Sequence, residues 1–184
     1  SGYEESIGST YAAAMTDPAP PRLIDIGANL THESFRHDFD AVLQRAADAG
    51  VAQLVVTGAS VEGSPQALAL ARAHPGRLYA TAGIHPHHAS DYDAEVDALL
   101  RELVAAPEVR AVGETGLDYH RNFSPRAAQL FAFERQLQIA VDCGKPLFLH
   151  QRDAHADFLA VLRQVRDRVG AAVVHCFTGT REEL

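Results

Sequence analysis

The sequence is poor in cysteine, in long apolar runs and in positive charge. Only two cysteines occur among 184 residues, Cys143 and Cys176, too few to suggest a disulfide framework. Each lies in or beside an apolar run, so both are expected as reduced, buried thiols. No apolar run approaches the roughly 20 residues that span a bilayer. The opening stretch is acidic and lacks the apolar centre of a secretory leader. A cytoplasmic protein with no membrane association is the expectation. Lys and Arg number 16 against 24 Asp and Glu, a net charge of −8. That excludes a broad basic face for duplex nucleic acid but leaves room for a small basic patch. Methionine is scarce as well: Met15 is the only one and the chain opens on Ser1, so Met15 is a candidate start with added or upstream sequence before it.

Hydrophobic residues make up 47% and charged residues 22%, the balance of a globular domain with a substantial core. Residues 1–22 are small, polar and proline-rich, with Pro18, Pro20 and Pro21 close together. They are expected to form a mobile tail, leaving 23–184 as the folded domain. In that domain, short apolar runs alternate with helical periodicity. Strands are expected at Leu23–Ile26, Leu54–Val56, Leu78–Ile84, Val109–Val112, Pro146–Leu149 and Ala171–Val174. Helices are expected between them: one capped by Asp38 and closed by Gly50, one opened by Ser64-Pro65, one over Asp93–Ala105. A long helix follows Ser124-Pro125 and stops at Gly144, another carries Phe158 to Val165, and Arg181–Leu184 reads as the first turn of a further helix.

Periodic strand–helix alternation implies a parallel sheet with helices outside it, either an open doubly wound sheet or a (β/α)₈ TIM barrel. Units of roughly 30 residues favour the barrel, which takes about 250 residues over eight units. The polar strand ends Asn29, Thr57, His85, Glu114, His150 and His175 come from different strands, and a barrel gathers them at one mouth. The expected fold is therefore an α/β TIM barrel of which about six βα units are present, a fragment of a longer protein.

Three strand ends stand out. Val109–Val112 leads to Glu114, Pro146–Leu149 to His150, and Ala171–Val174 to His175. Carboxylate oxygen and imidazole nitrogen together suit Zn²⁺, Mn²⁺ and related ions, so Glu114, His150 and His175 form a candidate metal site; read singly, each is a capping acid or a satisfied histidine. His85, in the run His85-Pro86-His87-His88, can bind phosphate, complete the metal site, or belong to a solvated turn. Arg152 can hold a phosphate by paired hydrogen bonds or pair with Asp153 at a helix start, and Arg121 and Asn122 have similar standing. Thr178-Gly179 reads as a plain helix entry, and Glu33, His37 and Glu182-Glu183 as solvated.

The blocks IDIGANLT (Ile24–Thr31), AGIHPH (Ala82–His87), GETGLDYHRNF (Gly113–Phe123), LHQRDAH (Leu149–His155) and VVHCFTGTREE (Val173–Glu183), in that order, resemble the TatD family of metal-dependent deoxyribonucleases. The resemblance implies a TIM barrel of the metal-dependent hydrolase type. It also implies a Mg²⁺-dependent 3′→5′ exonuclease on single-stranded DNA and RNA, linked to repair of oxidative DNA damage, with Glu114, His150 and His175 binding the ion. Two departures stand out. Many relatives carry Asp-x-His-x-His after the first strand, where this chain has Asp25-Ile26-Gly27-Ala28-Asn29. The family's aspartate in a Glu-Thr-Asp-Ala-Pro block is absent, so the chain alone is expected to be weakly active or inactive.

The leading expectation is phosphodiester hydrolysis by a monomer. Glu114, His85 and Arg152 are its catalytic residues, and Mg²⁺, Mn²⁺ or Zn²⁺ its ion. The alternatives are a metal-dependent hydrolase of small amides or esters, or an impaired barrel fragment acting as a binding module.

Overall fold

The computed structural model describes residues 22–184. The tail expected over 1–22 lies outside them except for Arg22. Six parallel strands form one sheet: β1 (Leu23–Ala28), β2 (Val51–Val56), β3 (Leu78–Ala82), β4 (Val109–Asp118), β5 (Leu147–Arg152) and β6 (Ala172–Val174). They lie side by side in chain order. A doubly wound sheet would reverse its order at a switch point; unbroken order is the winding of a TIM barrel. The sheet is a curled partial barrel, with helices α1 (Phe39–Asp48), α2 (Gly63–Ala73), α3 (Ala94–Ala105), α4 (Arg126–Cys143) and α5 (His155–Arg163) returning the chain between strands.

The core sits between the central strands and the helices packed on them. Leu78, Leu100, Leu117, Phe133, Leu137, Leu147 and Leu149 are buried, and Phe133 of α4 stacks on Phe158 of α5 at 5.3 Å. Two buried glutamines of α4 reach the sheet. Gln136 accepts from Ile84 N–H (2.8 Å) and donates to Ile84 C=O (3.1 Å), tying α4 to the end of β3. Gln129 accepts from Asp118 N–H (2.8 Å) and donates to Ser124 C=O (2.9 Å), holding the end of β4. Among the described residues, β1 and β6 each have one neighbouring strand, and their apolar side chains Leu23, Ile24, Ile26 and Val173 are exposed there.

Several local expectations change. β4 does not stop at Val112 but runs ten residues to Asp118. It passes through Gly113 and Gly116, where a Cβ would lie 2.0 Å from Phe148 O and 1.8 Å from His150 O. Only glycine lets β4 approach β5 this closely at their carboxyl ends. Ser64 is not a cap: its buried hydroxyl donates to Gly83 C=O (2.8 Å) and accepts from Gly83 N–H (3.1 Å), while Ser60 Oγ accepts from Gly63 N–H at the helix start. Asp38 is the N-cap residue of α1, as expected, but its carboxylate makes no capping bond and pairs with Arg45 at 2.8 Å. Cys143 and Cys176 are exposed, one at the outer end of α4 and the other just past the edge strand β6. Arg181–Glu183 is a 3-10 turn, with the Glu183 carboxylate accepting from Thr180 N–H at 2.9 Å.

Candidate metal centre

The carboxyl ends of β3 and β4 are tied to the loop that follows β2. Gly58 C=O accepts from Glu114 N–H (2.8 Å), and Ala59 C=O accepts from His85 N–H (2.8 Å). Glu114 and His85 are therefore fixed at the backbone before their side chains meet.

Around the Glu114 carboxylate three imidazoles converge. Its Oε1 lies 3.2 Å from His150 Nδ1, 3.8 Å from His175 Nδ1 and 3.9 Å from His85 Nε2. The tightest set is His85, Glu114 and His150, whose ligand atoms all lie within 4.8 Å of one another. His175 reaches the group through Glu114 and stands outside that set. Its ring lies over Gly27: a Cβ there would be 2.8 Å from His175 Nε2. The first-strand positions Gly27 and Asn29 bring no nitrogen ligand, and Gly27 makes room for His175.

Sequence reading missed a second carboxylate, Asp118. It is 2% exposed, and its Oδ2 lies 2.8 Å from His87 Nε2 and 3.2 Å from His150 Nε2. Its Oδ1 accepts from Arg121 N–H (2.8 Å) and His120 N–H (3.1 Å). The available signal was strand period: in an extended β4, Glu114, Gly116 and Asp118 share one face. Ending the strand at Val112 placed Asp118 in a turn. His87 follows His85 in the same run, and its bond to Asp118 places it in this network.

Electrostatics separates the histidines. Burial pushes the His85 imidazole down to about 3, with the Glu114 charge offsetting only part of it. Burial also disfavours a charged His150, but hydrogen bonds and charge from Glu114 and Asp118 outweigh it and raise the pKa. Burial would raise the Glu114 carboxyl, yet the His150 hydrogen bond and the surrounding imidazoles hold it below its ordinary value. Asp118 is drawn down to about 2: burial is outweighed by the Arg121 N–H and by His87 and His150. Both carboxylates are ionised at neutral pH.

The donor set suits a divalent cation. His150 offers Nδ1 beside Glu114 while Nε2–H is held by Asp118, the carboxylate–imidazole arrangement that orients a ligand histidine. His85 differs. Its Nδ1 accepts from His87 N–H (3.1 Å), which places its proton on Nε2 in the neutral ring. In that tautomer Nε2 carries a hydrogen that an oxygen can accept, and it has no lone pair for a cation.

Of the remaining candidates, Arg152 is half-buried at the end of β5 and in register with Asp118. Asp153 pairs with His120 at 3.2 Å, and no Arg152–Asp153 ion pair forms among the described residues. Arg121 and Asn122 lie in the loop after β4, their side chains exposed. Glu33 and His37 are exposed.

A parallel barrel wall with acid and imidazole gathered at its strands' carboxyl ends defines the class: an α/β protein of the metal-hydrolase type. The model described as TatD related DNase matches residues 24–184, and the chain belongs to that family. It is 51% identical over 162 residues to the 3′-5′ ssDNA/RNA exonuclease TatD of Erwinia billingiae, and equally to that of Enterobacter lignolyticus. In both, the match covers 88% of this chain and 62% of the relative, so the chain spans about three fifths of their length. Among solved structures it is similar to YJJV, a TatD homologue from Escherichia coli K12 (TM-score 0.81, 31% identity, 88% of this chain, 62% of that one). It also resembles an uncharacterized amidohydrolase from Saccharomyces cerevisiae (TM-score 0.76, 28% identity, 89% and 64%). Among the described residues, no helix is long and apolar enough to cross a membrane.

Proposed function

We propose that this chain carries the reacting centre of a divalent-metal-dependent nuclease that hydrolyses phosphodiester bonds of single-stranded DNA and RNA from the 3′ end. The observation that carries it is Glu114 Oε1 with imidazole nitrogens of His150, His175 and His85 within 4 Å, in a chain about half identical to relatives named for that activity.

Glu114, His150 and His175 hold the ion. When bound, it supplies Lewis-acid polarisation of a phosphoryl oxygen and ionisation of a water near neutral pH. Asp118 keeps the His150 ring oriented through Nε2. His85, uncharged, donates Nε2–H to a phosphate oxygen, and Arg152 supports the same phosphate by charge-assisted hydrogen bonds. Mg²⁺ is the ion carried over from the family resemblance; a donor set of two nitrogens and one oxygen also accepts Mn²⁺ and Zn²⁺. A local phosphate pocket in a chain of net charge −8 favours a flexible single strand over a duplex.

The small-amide or ester reading stays in view because one structural neighbour is titled an amidohydrolase. The test, on the whole protein, is end-labelled single-stranded DNA beside a lactone and an anilide, each with divalent ion and with chelator. A ladder receding from the 3′ end, lost with chelator and weakened by salt, is expected. Turnover of the lactone or anilide with intact DNA would overturn the proposal.

A further inference from the structure

The loop between β4 and α4 holds a large apolar side chain in water. Phe123 is 66% exposed and contributes nothing to the core. Mobility does not account for this, because the backbone around it is pinned. Asp118 C=O accepts from Asn122 N–H (3.3 Å), and Asn122 Nδ2 donates to Tyr119 C=O (2.5 Å). On the other side, Ser124 Oγ donates to His87 C=O (3.1 Å) and accepts from Ser90 N–H (3.1 Å), while Ser124 C=O accepts from Gln129 (2.9 Å). The ring is presented on a rigid base.

It is also presented at a particular place. The Phe123 ring lies 4.8 Å from that of His87, near perpendicular at 75°. His87 lies 4.2 Å from His85, and His85 lies 4.4 Å from His150. A row of rings thus leads from solvent to the Glu114 carboxylate, with Phe123 at its outer end and one imidazole between it and the cluster. Arg121 precedes Phe123 by two residues, and Arg126 opens α4 with its guanidinium 4.1 Å over the Tyr119 ring. An exposed aromatic side chain with an arginine two residues before it and another three residues after it in the chain suits a ligand with flat π-systems on an anionic backbone, which is the design of single-strand binding surfaces.

We propose that Phe123 is a stacking platform that holds one nucleobase of a single-stranded substrate beside the carboxylate–imidazole cluster. This rests on the nuclease reading above and deepens it. Phe123 is a positioning residue: it touches the base and leaves the phosphate chemistry to the cluster. Stacking is tolerant of base identity because every base has a π-face, so the platform gives register without sequence preference.

The experiment uses the whole protein and two oligonucleotides of one length, one normal and one with abasic nucleotides at its 3′ end. Loss of one aromatic–base stack weakens binding roughly 5- to 150-fold. Phe123→Ala is therefore expected to raise KM for the normal oligonucleotide by that factor with little change in kcat. It should leave KM for the abasic one at the parent's value, which a merely structural role would not do. The 184 residues contain no tryptophan, so Phe123→Trp adds a reporter, read as the difference from parent. Solvent-exposed indole emission, quenched by the normal oligonucleotide and not by the abasic one, supports the platform. A blue-shifted, unquenched indole, or equal KM for Phe123→Ala and parent in a protein that cuts DNA, overturns the platform and leaves the nuclease reading intact. A parent protein that neither binds nor cuts single strands overturns the nuclease reading, and the platform with it.

Discussion

His150 and His175 occupy the same kind of position, each at the carboxyl end of a strand, yet the structure treats them differently. His150 belongs to the six-residue β5, paired on both sides, and its ring lies between two carboxylates at 3.2 Å each. His175 follows the three-residue edge strand β6. It meets Glu114 at 3.8 Å, and its other nitrogen lies 3.4 Å from Cys176 Sγ. Among the described residues, β5 supplies a tightly held half of the site and the residue after β6 a looser half.

The largest effect is expected where both halves meet. Glu114→Ala removes the one oxygen that all three imidazoles approach. Cation binding should be lost, and single-turnover cleavage of single-stranded DNA should fall at least ~1000-fold, about 4 kcal/mol of barrier. Retained Mn²⁺ binding by titration calorimetry would mean that the halves do not share a cation. A smaller effect isolates the rigid half. Asp118→Asn weakens the acceptor that orients His150 and should cost about 10- to 100-fold in metal affinity. Unchanged affinity would show that His150 is oriented without Asp118.

The two carboxylates also show how far the sequence was legible. Glu114, His150 and His175 were marked because apolar runs end at them, and the unbroken alternation of strand and helix pointed to barrel winding. Asp118 was not marked. A strand ending at Val112 leaves Gly113 and Gly116 outside it, whereas the structure uses them for close approach between β4 and β5, so the strand continues through them. Ser64 was misread for a related reason. A serine before a proline looks like a cap, but its hydroxyl is buried against Gly83, and such long-range pairing leaves no local trace. The two cysteines were expected inside because their neighbours are apolar; position at a helix end and beside an edge strand decides otherwise.

The helices behind the central strands offer the next test. Gln136 is fully buried and satisfies both backbone groups of Ile84. Gln136→Leu keeps volume but leaves that N–H and C=O without partners, so it should cost about 1–3 kcal/mol in urea unfolding with the m-value unchanged. A neutral result would show water taking over the role. On the far side of the same layer, burial would raise the Asp97 carboxyl, but hydrogen bonds from Arg101, Tyr92 and Arg135 hold it below its ordinary value. A depressed acid stabilises the fold above the ordinary carboxylate range and loses that contribution as pH falls through its folded value. The Tm gap between parent and Asp97→Asn should therefore be widest near neutral pH and narrow as pH falls below the ordinary carboxylate range. A gap independent of pH would sink the assignment.

The smallest effect is expected at the margin, and it is the sharpest check on the contrast between regions. Ile24 lies in β1 and is 56% exposed, although isoleucine in a parallel strand is ordinarily buried on both faces. With little area removed from water, Ile24→Ser forfeits mainly strand propensity and should cost no more than about 1 kcal/mol. A buried isoleucine of the central layer would cost several times as much when truncated. Denaturant unfolding of Ile24→Ser beside Ile84→Ala, a residue that is 1% exposed, measures both on one scale. Equal costs would mean that β1 is covered in the folded protein, and the difference between centre and margin would disappear. Unequal costs would place Ile24 outside the packed layer, in contrast to His175 at the other edge, whose ring is held against Gly27, Phe148 and Glu114.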